Sequence, residues 1–306
     1  MTGAIVVVGS INTDIVVRSP RHPQPGETLI GSGVAEYPGG KGANQAVAAA
    51  RAGGIVRLIA RVGRDDRGVV LRNGLADDGV DITYVGTCLH DPTGLALITV
   101  DDLGENTIVV VSGANHKIRP VHVDEAVDAG VFDGASVLLT QLECPLDTVA
   151  TALRRARAAG LRTVLNAAPA VALDAGILRE VDVLIVNEHE LAIVTGSDDR
   201  GEGLRTARMW VPTVVLTLGS KGSVYVDAHT GDPPMNVPPF PVAVVDTTGA
   251  GDAFCGAFAV AIAAGRSTVD AVRGGNASGA LAATKPGAQP SLPTAREVDA
   301  LLPTVV

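Results

Sequence analysis

The sequence predicts an α/β fold, with a doubly wound, mostly parallel sheet and a small β-sheet standing off it. Three observations carry this. Short runs rich in Val, Ile and Leu recur along the chain; they alternate with segments of helical pattern; and two stretches break the alternation with strand-like pairs that have no helix between them. Apolar runs without polar alternation suit strands buried on both faces, so helices must cover both sides of the sheet.

In chain order, strand 4–8 is followed by helix 42–52, strand 56–62 by helix 68–77, and strand 136–142 by helix 146–159. Strands 163–166, 182–186 and 214–218 continue the series, each followed by helix or turn. The exceptions are 15–18 with 28–37, and 94–101 with 105–112, the second pair joined by a hairpin turn at Asp102-Leu103-Gly104. Four strands without helices make a small sheet that leaves the chain after Asp14 and returns before Gly39. It reads either as a lid over a ligand or as an edge extension of the main sheet. The expected organisation is one domain over residues 1–306, with lid strands within about 15–37 and 94–112.

Composition narrows the function. The 306 residues can bury a large core, and a hydrophobic fraction of 46% fits a folded globule. A net charge of −9, 3% aromatic residues and no Lys/Arg block disfavour nucleic acid as a main ligand, so any phosphate site must be built locally. No run of eighteen apolar residues suggests a membrane span, and the N-terminus lacks a secretory pattern, so a cytosolic location is expected. Cys88, Cys144 and Cys255 are scattered and read as buried apolar fillers rather than disulfides or a zinc site.

The richest motif is Asp246-Thr247-Thr248-Gly249-Ala250-Gly251-Asp252-Ala253-Phe254, a glycine turn opening an apolar helix expected over 253–264. Small residues at Gly249, Ala250 and Gly251 leave backbone N–H groups bare at the positive end of a helix dipole, a place that holds an anion. A carboxylate at Asp252 would compete with that anion unless it serves as a base beside a phosphoryl group, and phosphoryl transfer is the sharper reading. An ordinary helix cap is the alternative.

Gly39-Gly40-Lys41-Gly42-Ala43-Asn44 lies between a strand and a helix, and its bare backbone, Lys41 and Asn44 suit sugar hydroxyls. It lacks the spacing of a Walker sequence, and a plain glycine turn with a solvated lysine explains it too. Asn12 and Asp14 would point to one face of an extended chain, or serve as turn formers after the first strand. Asn187 and Glu190 read as a helix cap with its returning acid, or as the site of a hydrated Mg²⁺; His189 reads as surface. Thr217, Leu218, Gly219, Ser220, Lys221 and Gly222 could give a nucleotide backbone contacts, or form a hairpin turn.

Taken in this order, the segments resemble the ribokinase family, the phosphofructokinase-B-type carbohydrate kinases, from Val6 to about Pro293. The resemblance rests on the Gly39–Asn44 and Asp246–Gly256 signatures, with Ser10-Ile11-Asn12-Thr13-Asp14, Gln141-Leu142-Glu143, Asn166-Ala167-Ala168-Pro169 and Lys285 to Ser291 in support. It implies ATP-dependent transfer to the 5-hydroxyl of D-ribose, with Asp252 as base and Gly249, Ala250 and Gly251 as the anion hole. Asn12, Asp14, Gly40, Lys41, Gly42, Ala43, Asn44 and Glu143 would hold the sugar. Asn187 and Glu190 would serve the magnesium–phosphate end, and Thr217 to Gly222, Gly251 and Asn276 the nucleotide. A monovalent cation, usually K⁺, is implied at Asp246, Thr248, Ala282, Lys285, Gly287 and Ser291, several acting through backbone carbonyls. The family fold has a β-sheet lid that commonly pairs in a homodimer.

Two features depart from the family pattern: Val186 stands where many relatives have Pro, and Cys144 where Ser is familiar. Cys255, one turn beyond Asp252, reads either as an oxidation-sensitive thiol or as an inert buried one. Other acceptors (2-deoxyribose, a ketohexose, a nucleoside, a sugar phosphate) stay open at this level. The last two are weakened by the lack of extra basic and aromatic residues. A sugar sensor without catalysis is disfavoured by the intact Asp252.

Overall fold

The structure is a computed structural model and describes residues 3–228 and 233–302. The ends of the predicted 1–306 domain span therefore lie outside the described residues. The strands are β1 (Ala4–Val8), β2 (Asn12–Arg18), β3 (Gly33–Gly39), β4 (Val56–Gly63), β5 (Val80–Asp81), β6 (Val85–Cys88), β7 (Gly94–Val100), β8 (Asn106–Val111), β9 (Ala135–Thr140), β10 (Arg162–Asn166), β11 (Val183–Asn187), β12 (Thr213–Thr217), β13 (Ser223–Asp227) and β14 (Met235–Val237). The helices are α1 (Lys41–Arg51), α2 (Asp66–Asp77), α3 (Pro120–Asp128), α4 (Leu146–Ala158), α5 (Ala175–Leu178), α6 (Glu188–Thr195), α7 (Arg200–Ala207), α8 (Ala250–Ala263), α9 (Thr268–Ala282) and α10 (Ala295–Leu301).

The main sheet runs β14-β13-β12-β11-β10-β9-β1-β4-β5, with β6 also on β4. Pairing is parallel from β12 to β5 and antiparallel only at β12–β13 and β13–β14. Successive strand side chains point to opposite faces, and β1 feeds two cores. Ile5 and Val7 join a cluster with Val47, Phe254, Phe258 and Val272; Val6 and Val8 join one with Val149, Leu153, Leu191 and Leu216. Each fully buried side chain of this size contributes roughly 1.5–3 kcal/mol over an exposed one. The two-sided burial expected from unbroken Val/Ile/Leu runs is present, with strand ends one or two residues from their predicted places.

The small sheet is four-stranded, in the order β3-β2-β7-β8. Its β2–β3 and β7–β8 pairs are antiparallel and β2–β7 is parallel. The expected hairpin at Asp102–Gly104 forms, with the Asp101 carboxylate accepting from the N–H groups of Leu103 and Glu105 at 2.9 Å each. The predicted strand 28–37 is corrected: pairing begins only at Gly33, opposite Arg18, because β2 ends there and residues 28–32 have no strand to pair with. The strand before it also starts earlier than expected. Asn12 and Asp14 lie within β2 rather than in a turn, and Asn12 stands opposite both Gly39 and Gly94 at the root of the sheet. Among the described residues no helix is long and apolar enough to cross a membrane.

One packing contact sets up the site. A Cβ on Gly256 of α8 would lie 2.5 Å from Ala48 Cβ of α1, so only glycine lets these helices come this close. One turn earlier on each helix stand Asp252 and Asn44, which the approach brings within hydrogen-bond reach.

Candidate active site

Asp252, 7% exposed in the first turn of α8, is the centre of the site. Its Oδ2 accepts from Asn44 Nδ2 and its Oδ1 from Gln45 Nε2, both at 2.9 Å. Asn44 Oδ1 is buried with no protein partner among the described residues, an acceptor left for a ligand donor. Gly249 caps α8 in the left-handed conformation (φ 79°) with no side-chain cap, and a Cβ there would lie 2.9 Å from Ala288 Cα. The N–H groups of the first turn of α8, which begins at Ala250, have no partner one turn back within the helix, but the expectation that all are bare is corrected at Ala250, whose N–H donates to Thr247 O at 3.2 Å. Gly251 is different: it is exposed, and an added Cβ would meet nothing within 4 Å. Glycine in a helix costs about 1 kcal/mol relative to alanine, and no contact among the described residues requires it.

Opposite Asp252 lies a group of carboxylates around Lys41. Glu143, three residues past β9, accepts through Oε2 from Ser10 Oγ in a very short bond and from Lys41 N at 3.0 Å; Ser10 Oγ accepts from Gly42 N at 3.2 Å. Gly40 caps α1 at φ 87°, and Ala43 N donates to Ser10 O at 2.8 Å, so the whole Gly40–Asn44 segment is tied to the end of β1. Burial, reinforced by the negative charges of Glu143 and Asp252, raises the Asp14 carboxyl to about 7 despite Lys41. Burial also pulls on the Lys41 ammonium, but Asp252, Glu143 and Glu190 outweigh it and its pKa is raised. The lysine is half-buried among acids, not the solvated residue of the alternative reading.

Sequence reasoning missed Asn115. Fully buried, it accepts from Ile11 N at 2.9 Å, donates to Ile11 O at 3.1 Å, and donates to Asn12 Oδ1 at 2.7 Å. That last bond leaves the Asn12 NH₂ as the side chain's outward donor. Gln45, Gln141 and Asn166 also meet here in a buried chain of amides. Gln141 and Asn166 stand in segments that carry the family resemblance, whereas Gln45 and Asn115 are marked in the sequence only as polar residues near apolar stretches.

At the other flank Asn187 caps α6 in a full capping box: Glu190 N donates to Asn187 Oδ1 and Asn187 N to Glu190 Oε2, both at 2.8 Å. The cap reading therefore holds, and burial raises the Glu190 carboxyl. His189 is exposed, as expected. Asn187 stands opposite Thr217 on the neighbouring strand, and Thr217 to Gly222 form the turn between β12 and β13, closed by Leu218 N to Gly222 O at 2.8 Å. Gly219, Ser220 and Lys221 are exposed. The Asn276 amide is occupied by Ser223 Oγ (2.5 Å), Val237 O (3.3 Å) and Pro238 O (3.2 Å), which places it beside this turn.

Of the residues expected around a monovalent cation, Asp246 links two others, Thr248 and Gly287. Its Oδ1 accepts from Thr248 N and Oγ1 (2.9 and 2.7 Å) and its Oδ2 from Gly287 N (2.8 Å). Burial pushes this carboxyl up, but the Thr248 and Gly287 hydrogen bonds prevail and hold it below the usual range. Buried Ser291 donates to Ala288 O at 2.7 Å, against Gly249, and Ala282 O accepts from Lys285 N at 3.2 Å. The Lys285 side chain turns away to Glu297 at 2.9 Å. Among the described residues no group of three His, Cys, Asp or Glu is arranged to hold a metal.

The cysteines are free. Cys255 is buried, and its thiol is pushed well above its ordinary value by burial and Asp252, which favours the inert reading over the oxidation-sensitive one. Cys88 corrects the filler reading: it is only half-buried, with Sγ 3.5 Å from Asp91.

An open helix start, a buried carboxylate and a polar cluster, all beyond the carboxyl ends of a parallel sheet, are the features that a candidate phosphotransferase site requires. The pfkB family carbohydrate kinase model matches residues 3–295, and the chain belongs to that family. Within it, the chain is 40% identical over 303 residues to the ribokinase of Haemophilus influenzae, covering 97% of each. The Bacillus subtilis ribokinase is 38% identical, over 97% of this chain and 99% of its own. The Arabidopsis thaliana ribokinase solved with ribose and ATP superposes with a TM-score of 0.88 at 32% identity, covering 99% of both chains.

Proposed function

We propose that this enzyme transfers the γ-phosphoryl group of ATP to the 5-hydroxyl of D-ribose, with Asp252 as general base. One observation carries the reading. Asp252 sits where the open Gly249–Gly251 helix start meets the Asn12, Asp14, Asn44 and Glu143 cluster, so a single carboxylate borders both a phosphate site and a polyol site. Similarity to ribokinases over nearly the full chain, one of them solved with ribose and ATP, supports the choice of substrates.

In this reading the sugar hydroxyls bond to the Asn12 amide, the free Asn44 Oδ1 and the carboxylates of Asp14 and Glu143. Asp252 accepts the proton of the 5-hydroxyl as the new O–P bond forms and ADP leaves, and the α8 N–H groups stabilise charge on the transferring group. The nucleotide lies along the Thr217–Gly222 turn toward Asn276. The four-stranded sheet, rooted at Asn12 and Gly39, acts as the lid, and the exposed valines of β8 are its surface for a homodimer partner. A cytoplasmic location and a single domain over 1–306 belong to the same reading.

Mg²⁺ fits at Glu190: one oxygen is held in the capping box and the other has no hydrogen-bond donor among the described residues, which suits a metal that keeps most of its waters and binds mainly phosphate. Bound there, it would neutralise phosphate charge. A monovalent cation fits the backbone-rich loops that Asp246 ties together, where it would reinforce the positive end of α8.

A coupled ADP-release assay across ribose, 2-deoxyribose, fructose, adenosine and fructose 6-phosphate, each with and without K⁺, tests the proposal. Ribose with K⁺ should give the highest kcat/KM. No turnover of ribose in K⁺ sinks it, and a preference for 2-deoxyribose reassigns the acceptor.

A further inference from the structure

Gln45 is completely buried, and both ends of its amide are committed. Nε2 donates to Asp252 Oδ1 at 2.9 Å and to Asn166 Oδ1 at 3.0 Å, and Oε1 accepts from Gln141 Nε2 at 2.6 Å. The direction of this chain is not free. Asn166 Nδ2 donates to the main-chain carbonyl of Ile185 at 3.2 Å, and a carbonyl can only accept. Asn166 must therefore turn its oxygen toward Gln45, and Gln45 must turn its NH₂ toward both Asn166 and Asp252. Reversing any amide sets oxygen against oxygen, at worst Gln45 Oε1 against the Asp252 carboxylate. An acceptor fixed in the sheet, on β11, thus dictates through two amides that Asp252 meets a donor.

We infer that Gln45, oriented by Asn166 and Gln141, is a positioning residue for phosphoryl transfer: it fixes the rotamer of Asp252 so that the carboxylate faces the acceptor hydroxyl. This inference rests on the proposed role of Asp252 as base. Asn44 supplies the donor to the second carboxylate oxygen, and since it also offers Oδ1 to the ligand, its loss would disturb binding and positioning together. Gln45 has no group left for a ligand, so its contribution belongs to turnover alone. A base displaced by a fraction of an ångström loses much of its rate while the ground-state complex is hardly changed.

The test measures kcat, ribose KM and ribose Kd by calorimetry for Gln45→Met, Gln45→Glu, Asp252→Asn and the double variant Gln45→Met/Asp252→Asn, with thermal melts. Gln45→Met should lower kcat about tenfold to thirtyfold while ribose Kd stays within about twofold. Gln45→Glu, closer in shape, should be the worse of the two, because it sets a second acid against Asp252. A purely structural role predicts the opposite order. In the Asp252→Asn background, Gln45→Met should cost no further turnover, since residues acting as one unit are not additive. If Gln45→Met does not fold, Gln141→Met, which frees one end of the Gln45 amide, should lower kcat about threefold to tenfold at unchanged Kd. Wild-type kcat in a folded Gln45→Met or Gln141→Met, or a full additive loss in the double variant, overturns the inference while Asp252→Asn stays inactive. An active Asp252→Asn instead overturns the base assignment.

Discussion

The two flanks of the proposed site are built from different parts of the polypeptide. On the acceptor flank, side chains do the holding: Asn12, Asp14, Asn44, Glu143 and Asp252 are buried or half-buried, and most are bonded to neighbours brought in from distant parts of the chain. On the phosphate flank, the Gly249–Gly251 helix start and the Ser220 and Lys221 turn present backbone and are largely open to solvent. A sugar must be told from its isomers by the placement of each hydroxyl, which needs donors and acceptors locked in direction. A polyphosphate needs charge complementarity, which oriented N–H groups provide without side chains. Selectivity should accordingly lie in the first flank and tolerance in the second.

The sharpest way to break this contrast is at the residue the flanks share. Asp252→Asn should lower kcat by two to four powers of ten, with ribose affinity kept within a few-fold in calorimetry. Loss of ribose binding in step with turnover would place Asp252 wholly on the acceptor flank.

Asp14→Asn probes the strain of packing acids together. Burial among acids pushes the Asp14 carboxyl up to about 7 in the folded protein, from the ordinary carboxylate value of about 4. The folded state therefore holds a proton that the unfolded chain releases, and stability is lost as pH rises from about 4 to about 7. Between pH 5 and pH 8 the wild type should lose on the order of 3 kcal/mol that Asp14→Asn keeps, at 1.36 kcal/mol per pKa unit. Denaturant melts at the two pH values measure the difference, and equal pH slopes would show that the acidic cluster is not strained. The variant should bind ribose worse, exchanging affinity for stability.

On the phosphate flank, Gly251→Ala should stabilise the fold by about 0.5–1 kcal/mol, because a Cβ there meets nothing within 4 Å among the described residues and alanine is the better helix former. Turnover should still fall at least about tenfold, or about 1.4 kcal/mol. A stabilised variant with unchanged kcat would mean that no ligand uses that space. The smallest effect is expected at Lys285→Ala, whose half-exposed ion pair with Glu297 is worth about 0.2–1 kcal/mol. K⁺ activation should persist, since the side chain points away from the Asp246 loops; its loss would make the lysine side chain part of the cation site.

Much of the fold was legible because it follows from local rules. Unbroken Val/Ile/Leu strands between helices require a covered parallel sheet, the Asp102–Gly104 hairpin forms from its own turn residues, and Asn187 with Glu190 spells a capping box within four positions. The start of β3 was misplaced because residues 28–32 look extended, yet a strand exists only where a partner lies beside it. Asp252 was legible as an odd carboxylate at a helix start. Gln45, beside Asn44 in the sequence, was not, because its partners Asp252 and Gln141 lie 207 and 96 residues away.

By itself, then, the sequence determined the layered α/β architecture, the helix start at Gly249–Gly251 and the family motifs, since each depends on neighbours within a turn or a strand. Only the tertiary structure decided which polar group meets which. That depends on how close two helices come, here set by Gly256 against Ala48, and on which end of each buried amide faces a fixed carbonyl, and neither distance nor direction is a local property of the chain.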